Sequence, residues 1–84
     1  PPEARDLAHL ADMLRYARAV VTFVDGVPLE RYRQETMRRL AVERGIEVVG
    51  EAANRVSDAT QTAYPDIPWR AIIAQRHVLA HGYS

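Results

Sequence analysis

The sequence has no cysteine and no lysine, and only 7% of its 84 residues are aromatic. Without cysteine, neither a disulfide framework nor a thiolate metal site can form, which fits a reducing, cytoplasmic environment. No apolar run approaches the ~20 residues that a membrane-spanning helix requires, so we expect a soluble protein. The residues that are present, 48% hydrophobic and 26% charged, are typical of a folded globular chain. At this length we expect one small domain over residues 1–84.

All 11 basic residues are arginines, and they balance 11 acidic residues to a formal net charge of zero. The charge is uneven along the chain, because one stretch holds five arginines against two glutamates. These residues are Arg31, Arg33, Arg38, Arg39 and Arg44, with Glu35 and Glu43. Such a patch can bind a phosphate backbone through counterion release. Ion pairs along a solvated helix face explain the same pattern, and the sequence leaves both interpretations open.

Hydrophobic spacing predicts an all-α fold. Over residues 3–24 apolar side chains recur at alternating steps of three and four, which is typical of one helix face, and we expect this stripe to be core. The stripe comprises Leu7, Leu10, Leu14, Ala17, Val21 and Val24. Gly26 permits the left-handed turn that ends this helix, and Pro28 is suited to begin the next one.

The middle of the chain predicts a long helical segment that reaches about Tyr64, interrupted at most by a break near Arg33 or Gln34. Gly45 lies within it and costs ~1 kcal/mol relative to alanine, so we expect another backbone to pack closely there. Apolar residues cover a wide arc of this segment. We therefore expect it to face its own bundle on one side and a second subunit on the other. A final helix is predicted over residues 67–80.

The final helix carries the residues that point to chemistry. On a helical wheel at about 100° per residue, Arg76 lies in the middle of the apolar arc that contains Trp69 and Ile72. A guanidinium there must meet a carboxylate, a carbonyl or an anionic ligand, because an unpaired buried charge is severely penalised. The carboxylate of Glu47 or Glu51 on the long helix is one such partner.

Two histidines, His77 and His81, follow the arginine. On the wheel His81 lies about 140° from Arg76, so a continuous helix separates them. Either the helix unwinds at His81 and Gly82, or an arginine of one subunit works with a histidine of another. The two histidines are four residues apart, but the pattern lacks the glutamate of H-E-x-x-H and a third ligand, so we expect no metal site. His9 is isolated, and we expect it at the surface or the core edge.

Arg76, His81 and Tyr83 together resemble the R-x-x-x-x-H-x-Y motif of HEPN-domain proteins, specifically the HepT-like toxins of HepT/MNT toxin-antitoxin systems. The segment IPWRAII at 67–73 resembles the family's I-P-W-R-x-I-I segment before this motif. The segment VVGEA at 48–52 resembles the family's I-I-G-E-A stretch. The resemblance covers nearly the whole chain.

The resemblance implies an HEPN-type antiparallel helical bundle, with about four helices in this chain. HepT-like chains usually continue beyond the tyrosine into a closing helix, and we expect that helix to be missing here. It implies a metal-independent ribonuclease without a cofactor, in which two subunits of a homodimer bring their motifs together in a shared cleft. Arg76 and His81 are the implied catalytic residues. An imidazole of pKa about 6.5 suits proton transfer at the ribose 2′-hydroxyl or the leaving 5′-oxygen, and a guanidinium can hold the phosphate. His77, where HEPN motifs favour Asn, Asp or His, is the implied auxiliary residue.

Tyr83 has a separate implied role. In HepT-like proteins this tyrosine is adenylylated by the partner MNT nucleotidyltransferase antitoxin, and an anionic AMP beside Arg76 would block the phosphate site. Packing against Trp69 and Ile72 is the structural alternative for Tyr83.

Two other classes of function also stay open. One is a noncatalytic HEPN module that binds a nucleotidyltransferase or a nucleotide; the other is a plain helical dimerisation domain in which an internal carboxylate pairs with Arg76.

Overall fold

The computed structural model describes residues 2–81, with side chains except at 77 and 79–81. Within these residues the chain forms five α-helices and no strand, so the all-α prediction is confirmed. The helices are α1 (Leu7–Val24), α2 (Leu29–Gln34), α3 (Thr36–Arg55), α4 (Asp58–Ala63) and α5 (Trp69–His81), and a 3-10 turn, Ala4–Asp6, precedes α1. None of the described helices is long and apolar enough to cross a membrane.

The longest helix, α3, packs against both α1 and α5. The core lies where these helices meet, and it consists of Met13 of α1, Ala52 and Ala53 of α3, the adjoining Val56, and Trp69 of α5. The wide apolar arc of α3 is therefore occupied by two helices of the same chain. The arc by itself does not require the second subunit that its width led us to expect.

Gly45 lies where α3 meets α1. A Cβ built on Gly45 would lie 2.5 Å from the Val20 Cγ2 and 3.8 Å from the Tyr16 carbonyl oxygen. Carbon atoms in contact are normally about 3.5–4.0 Å apart, so the Val20 side chain in its present rotamer leaves no room for a Cβ at position 45. Close packing at this glycine is confirmed, but the near contact is the Val20 side chain, and the α1 backbone lies at an ordinary contact distance.

The prediction that the whole apolar stripe of α1 is core is wrong. Four of its members are 38–65% exposed: Leu7, Leu14, Val21 and Val24. The helix instead buries Met13 and rests Val20 against α3, while Leu10 is the member of the stripe that packs on the core. Adjacent residues of a helix differ by about 100°, so Leu14 lies well to one side of Met13. Periodicity identifies an apolar face, but it does not say against which line of that face the neighbouring helix packs.

The long helical segment contains two breaks. The first falls at Glu35, just after the predicted position at Arg33 or Gln34. The second falls between α3 and α4, so the prediction of helix without a further break to Tyr64 is wrong. There the Ser57 Oγ accepts a hydrogen bond from the Thr60 amide at 3.3 Å and caps α4. Apolar spacing continues through this break and conceals it.

A buried carboxylate holds the second break in place. Asp6 is 1% exposed and accepts hydrogen bonds from the Ser57 amide (3.0 Å), the Ser57 Oγ (2.6 Å) and the Thr60 Oγ1 (2.6 Å). The hydroxyls of Ser57 and Thr60 hold the pKa of the Asp6 carboxyl below its ordinary value, and these hydrogen bonds outweigh the effect of burial, which raises it. Asp6 therefore ties the start of α1 to the start of α4 as an ionised group.

Candidate active site

The part of the predicted motif from Arg76 to His81 lies on α5, whose first turn is anchored in the core. Trp69 is 7% exposed, and its Nε1 donates a hydrogen bond to the Tyr64 carbonyl oxygen at 3.0 Å. Ile72 and Ile73, one turn further along, pack against the core cluster. A large buried aromatic group and a satisfied indole N–H fix both the position and the entry angle of the helix. The structure begins α5 at Trp69, two residues after the predicted start.

Arg76 is half-buried on the side of α5 that faces α3. Its stem lies directly against Gly50. A Cβ built on Gly50 would overlap the Arg76 Cβ and would lie 3.0 Å from the Ile72 carbonyl oxygen and 3.3 Å from the Arg76 Cγ. The absence of a side chain at Gly50 therefore lets the arginine stem lie on the α3 backbone. This agrees with the wheel, which placed Arg76 within the apolar arc.

The structure describes less of the motif after Arg76. The backbone stays helical through His81, so α5 does not unwind at that residue. Positions 76 and 81 of a continuous helix differ by about 140° in direction. The side chains of His77 and His81, and the whole of Tyr83, lie outside the described residues. Their assigned roles stay predictions.

The two carboxylates considered as partners for Arg76 are both close to arginines of their own helix. Glu51 Oε1 lies 3.1 Å from Arg55 Nη2, and Glu47 Oε2 lies 3.5 Å from Arg44 Nη1. These are pairs between successive turns of α3. They are exposed enough that each contributes little stability.

The arginine-rich stretch is laced with ion pairs, as the second interpretation of its charge predicted. Arg31 and Arg38 both pair with Glu35, Arg33 pairs with Glu30, and Arg44 pairs with a glutamate of the next turn. Hydrogen bonds from Arg38 and Arg31 hold the pKa of the Glu35 carboxyl below its ordinary value. Most of this stretch is therefore neutralised locally.

His9 is half-buried on α1 and lines a polar cavity of about 260 Å³ between α1 and α3, together with Asp12, Tyr16 and Arg44 among others. Within the described part of the chain, no three histidine, aspartate or glutamate side chains come close enough to hold a metal ion.

Two residues with structural importance for the site were not identified from the sequence. Gly50 was noticed only as part of the VVGEA segment, although a glycine inside a helix is itself a signal of close packing. Asp6 lies before the first apolar residue of α1, where a helix cap is the ordinary expectation. Its hydrogen bonds to residues 51 and 54 positions away have no local sequence signal.

The model of the HepT-like ribonuclease family matches residues 13–84. The chain is 30% identical over 76 residues to a Methanocaldococcus jannaschii protein named as a candidate RNase, covering 90% of this chain and 70% of the relative. A second such protein of that organism is 31% identical over 80 residues, covering 94% and 66%. A Thermococcus cleftensis protein named as a probable ribonuclease HepT is 27% identical over 75 residues, covering 89% and 68%. No solved structure shows significant similarity to the chain.

The chain spans about two thirds of the length of these relatives, between 66% and 70%. The family match runs from within α1 to the end of the chain and so includes the whole of the predicted motif. The helical architecture agrees with an HEPN-type bundle. The resemblance seen in the motif is confirmed, and the chain belongs to the HepT-like ribonuclease family.

Proposed function

We propose that the protein is a cytoplasmic HepT-like toxin, folded as one domain over residues 1–84, that cleaves RNA without a metal ion. The proposed site combines Arg76 of one subunit with His81 of the other subunit of a homodimer, and His77 assists it. Membership of the HepT-like family and the names of the relatives support ribonuclease activity.

One structural observation supports a site that is built from residues of two chains. Arg76 is held against the α3 backbone at Gly50, and α5 continues as a helix through His81. Because the two positions differ by about 140° around that helix, one straight helix directs them to different sides. A twofold axis that brings two α5 helices together supplies the arginine of one chain and the histidine of the other to the same phosphate.

The chemistry suits these residue types. The His81 imidazole takes the proton from a ribose 2′-hydroxyl, and the 2′-oxygen attacks the adjacent phosphorus. The bond from phosphorus to the 5′-oxygen breaks, the His81 imidazolium gives its proton to the leaving 5′-oxygen, and a 2′,3′-cyclic phosphate remains. Arg76 donates two hydrogen bonds to the phosphate oxygens and stabilises the negative charge that builds on them in the transition state. Proton transfer and stabilisation of the transition-state charge are thus both assigned to side chains.

We further propose that an MNT-type nucleotidyltransferase is the antitoxin and that it adenylylates Tyr83. The tyrosine follows His81 by two residues in the motif. An AMP group on its hydroxyl adds a bulky anion near Arg76 and competes with RNA for the guanidinium. The modification would silence the nuclease without unfolding it.

The test is cleavage of single-stranded RNA by purified protein in the presence of a metal chelator. We expect wild-type cleavage, and a loss of at least about 100-fold in Arg76→Ala and in His81→Ala. His9→Ala, a histidine outside the motif, serves as the matched control and should keep full activity. If pure wild-type protein does not cleave RNA but binds a nucleotidyltransferase, the noncatalytic HEPN module is the better description.

Mixing the two inactive variants tests the composite site. After dissociation and reassociation, half of the dimers contain one chain of each variant, and one of the two sites in such a dimer has both residues. We therefore expect recovery of about a quarter of wild-type activity. If each site lies within one chain, the mixture stays inactive, and the two-chain arrangement is wrong.

A further inference from the structure

Arg39 stands apart from the other arginines of residues 31–44. Four of those arginines form ion pairs: Arg31, Arg33, Arg38 and Arg44. The Arg39 Nε is buried, and it meets no hydrogen-bond acceptor among the described residues. Nor does Arg39 form an ion pair there with Glu43, which lies one turn along the same helix. A buried guanidinium nitrogen without an acceptor is unfavourable unless a ligand supplies one.

The direction of Arg39 follows from its neighbour. Arg38 faces α1, because its Nη1 donates a hydrogen bond to the Phe23 carbonyl oxygen near the end of that helix. The next position on α3 is about 100° further around the axis. Position 39 and position 50 are eleven residues apart, so they point in directions that differ by only about 20° around the α3 axis. Since Gly50 faces α5, Arg39 lies on the flank of α3 that faces α5.

The two helices run antiparallel, which places Arg39 toward the end of α5. Trp69 at the start of α5 packs beside Val56, just after the end of α3, and Arg76 packs on Gly50. Arg39 lies about 16 Å before Gly50 along the α3 axis, at about 1.5 Å per residue. From Arg76, α5 advances about 7.5 Å in the same direction before it reaches position 81. Arg39 therefore lies on the flank that faces α5, about 9 Å past the level of position 81.

We propose that Arg39 binds a backbone phosphate of the RNA strand that neighbours the phosphate to be cleaved. The inference rests on the proposed ribonuclease function and adds a substrate-binding residue to it. A guanidinium matches the geometry of a phosphate, with two parallel N–H donors for its oxygens. The other four arginines of the stretch form ion pairs with glutamates, so Arg39 is the member without an ion-pair partner among the described residues.

The experiment measures binding of single-stranded RNA over a range of salt concentrations, in a His81→Ala background that does not cleave it. Arg39→Gln should weaken binding about tenfold and reduce the slope of log K against log salt by about 0.7, the value for one phosphate contact in single strands. Arg33→Gln makes the same charge change at an exposed, ion-paired arginine and should leave both quantities nearly unchanged. Arg39→Lys keeps the charge without the paired donors and should restore the salt slope but only part of the affinity.

Equal binding by Arg39→Gln and Arg33→Gln, in protein whose melting temperature is unchanged, overturns the inference. If wild-type protein cleaves RNA normally in that case, the proposed function stands and only the role of Arg39 fails. If wild-type protein neither binds nor cleaves RNA, both proposals fail together. Should Arg39→Gln not fold, Arg39→Lys carries the test. In a chain that keeps His81, a raised KM with unchanged kcat then supports the role, and an unchanged KM overturns it.

Discussion

Replacing Gly50 by alanine tests whether the close packing of α5 on α3 positions Arg76. The new Cβ would overlap the Arg76 Cβ and lie 3.0 Å from the Ile72 carbonyl oxygen. Neither atom is the free end of a flexible side chain. Since carbon atoms in contact are normally about 3.5–4.0 Å apart, α5 must move outward by about 1 Å to accept the methyl group.

Two opposing effects set the size of the change. Alanine is favoured over glycine within a helix by about 1 kcal/mol. Overpacking of a close interface costs about 1–3 kcal/mol, and the upper part of that range applies where backbone has to move. We expect net destabilisation of about 1–2 kcal/mol, which for a domain of this size lowers the melting temperature by about 5–15 °C.

The informative comparison is with Gly45→Ala on the same helix. There the new Cβ meets the Val20 Cγ2 at 2.5 Å, while the next atoms are 3.8 and 3.9 Å away. The clash with this single methyl group can be relieved by rotating the Val20 side chain, at a cost of about 0.5–1.5 kcal/mol. The higher helix propensity of alanine roughly offsets that cost. Gly45→Ala should therefore melt close to wild type and keep nuclease activity. A 1 Å displacement of Arg76 in Gly50→Ala should lower activity by up to about 100-fold.

Both variants are measured by thermal unfolding and by RNA cleavage well below the melting temperature of each. The positioning of Arg76 by the close packing at Gly50 is refuted if Gly50→Ala melts at or above wild type and cleaves RNA at the wild-type rate. It is also refuted if the two variants lose activity equally while both remain folded. In that case the approach of α5 to α3 would not be what holds Arg76.

Two further predictions concern Asp6 and Tyr83. Because the folded Asp6 carboxyl has a lowered pKa, its stabilisation is complete above its ordinary pKa of about 4 and is lost as the pH falls below that value. Asp6→Asn should thus melt lower than wild type at about pH 7, with a difference that narrows toward about pH 3, and a constant difference would contradict this. After coexpression with a nucleotidyltransferase antitoxin, we expect an AMP-sized mass increment that Tyr83→Phe abolishes. An increment that persists in this variant would place the modification elsewhere.

Local patterns predicted the helical elements but not all their boundaries. The turn at Gly26, which has φ of 69°, and the anchoring of α5 near Trp69 follow from glycine, proline and aromatic residues whose effects are local. The break at Ser57 depends on Asp6, fifty-one residues earlier, whose carboxylate supplies the acceptor for its amide and hydroxyl. A partner so distant in sequence leaves no periodic signal, so the apolar spacing predicted one helix where there are two.

The exposed stripe of α1 was mispredicted for a related reason. The spacing of apolar residues gives the direction of the apolar face on one helix. Which residues of that face are buried depends on the shape of the neighbouring helix. Here the line of contact with α3 passes through Val20, which lies against Gly45, and Met13, which is buried in the core, while Leu14 is exposed. For the candidate site, the helical wheel correctly predicted that Arg76 lies on the apolar side of α5, while its catalytic role stays a prediction. The support from Gly50 required knowing that α5 lies across α3 at that residue.

Rigidity, rather than the motif, is what favours a site built from two chains. The same arginine and histidine on a loosely held segment could turn toward one phosphate, because a few backbone rotations would remove their angular separation. On α5 this freedom is restricted at both ends of the segment 76–81. Arg76 lies on the α3 backbone, and the backbone is still helical at His81. Unwinding to join the two would break intrahelical hydrogen bonds next to a packed interface, whereas association of two identical helices requires no such loss. We therefore expect the recovery of activity from mixed Arg76→Ala and His81→Ala chains to depend on the packing at Gly50 as well as on the two side chains proposed for catalysis.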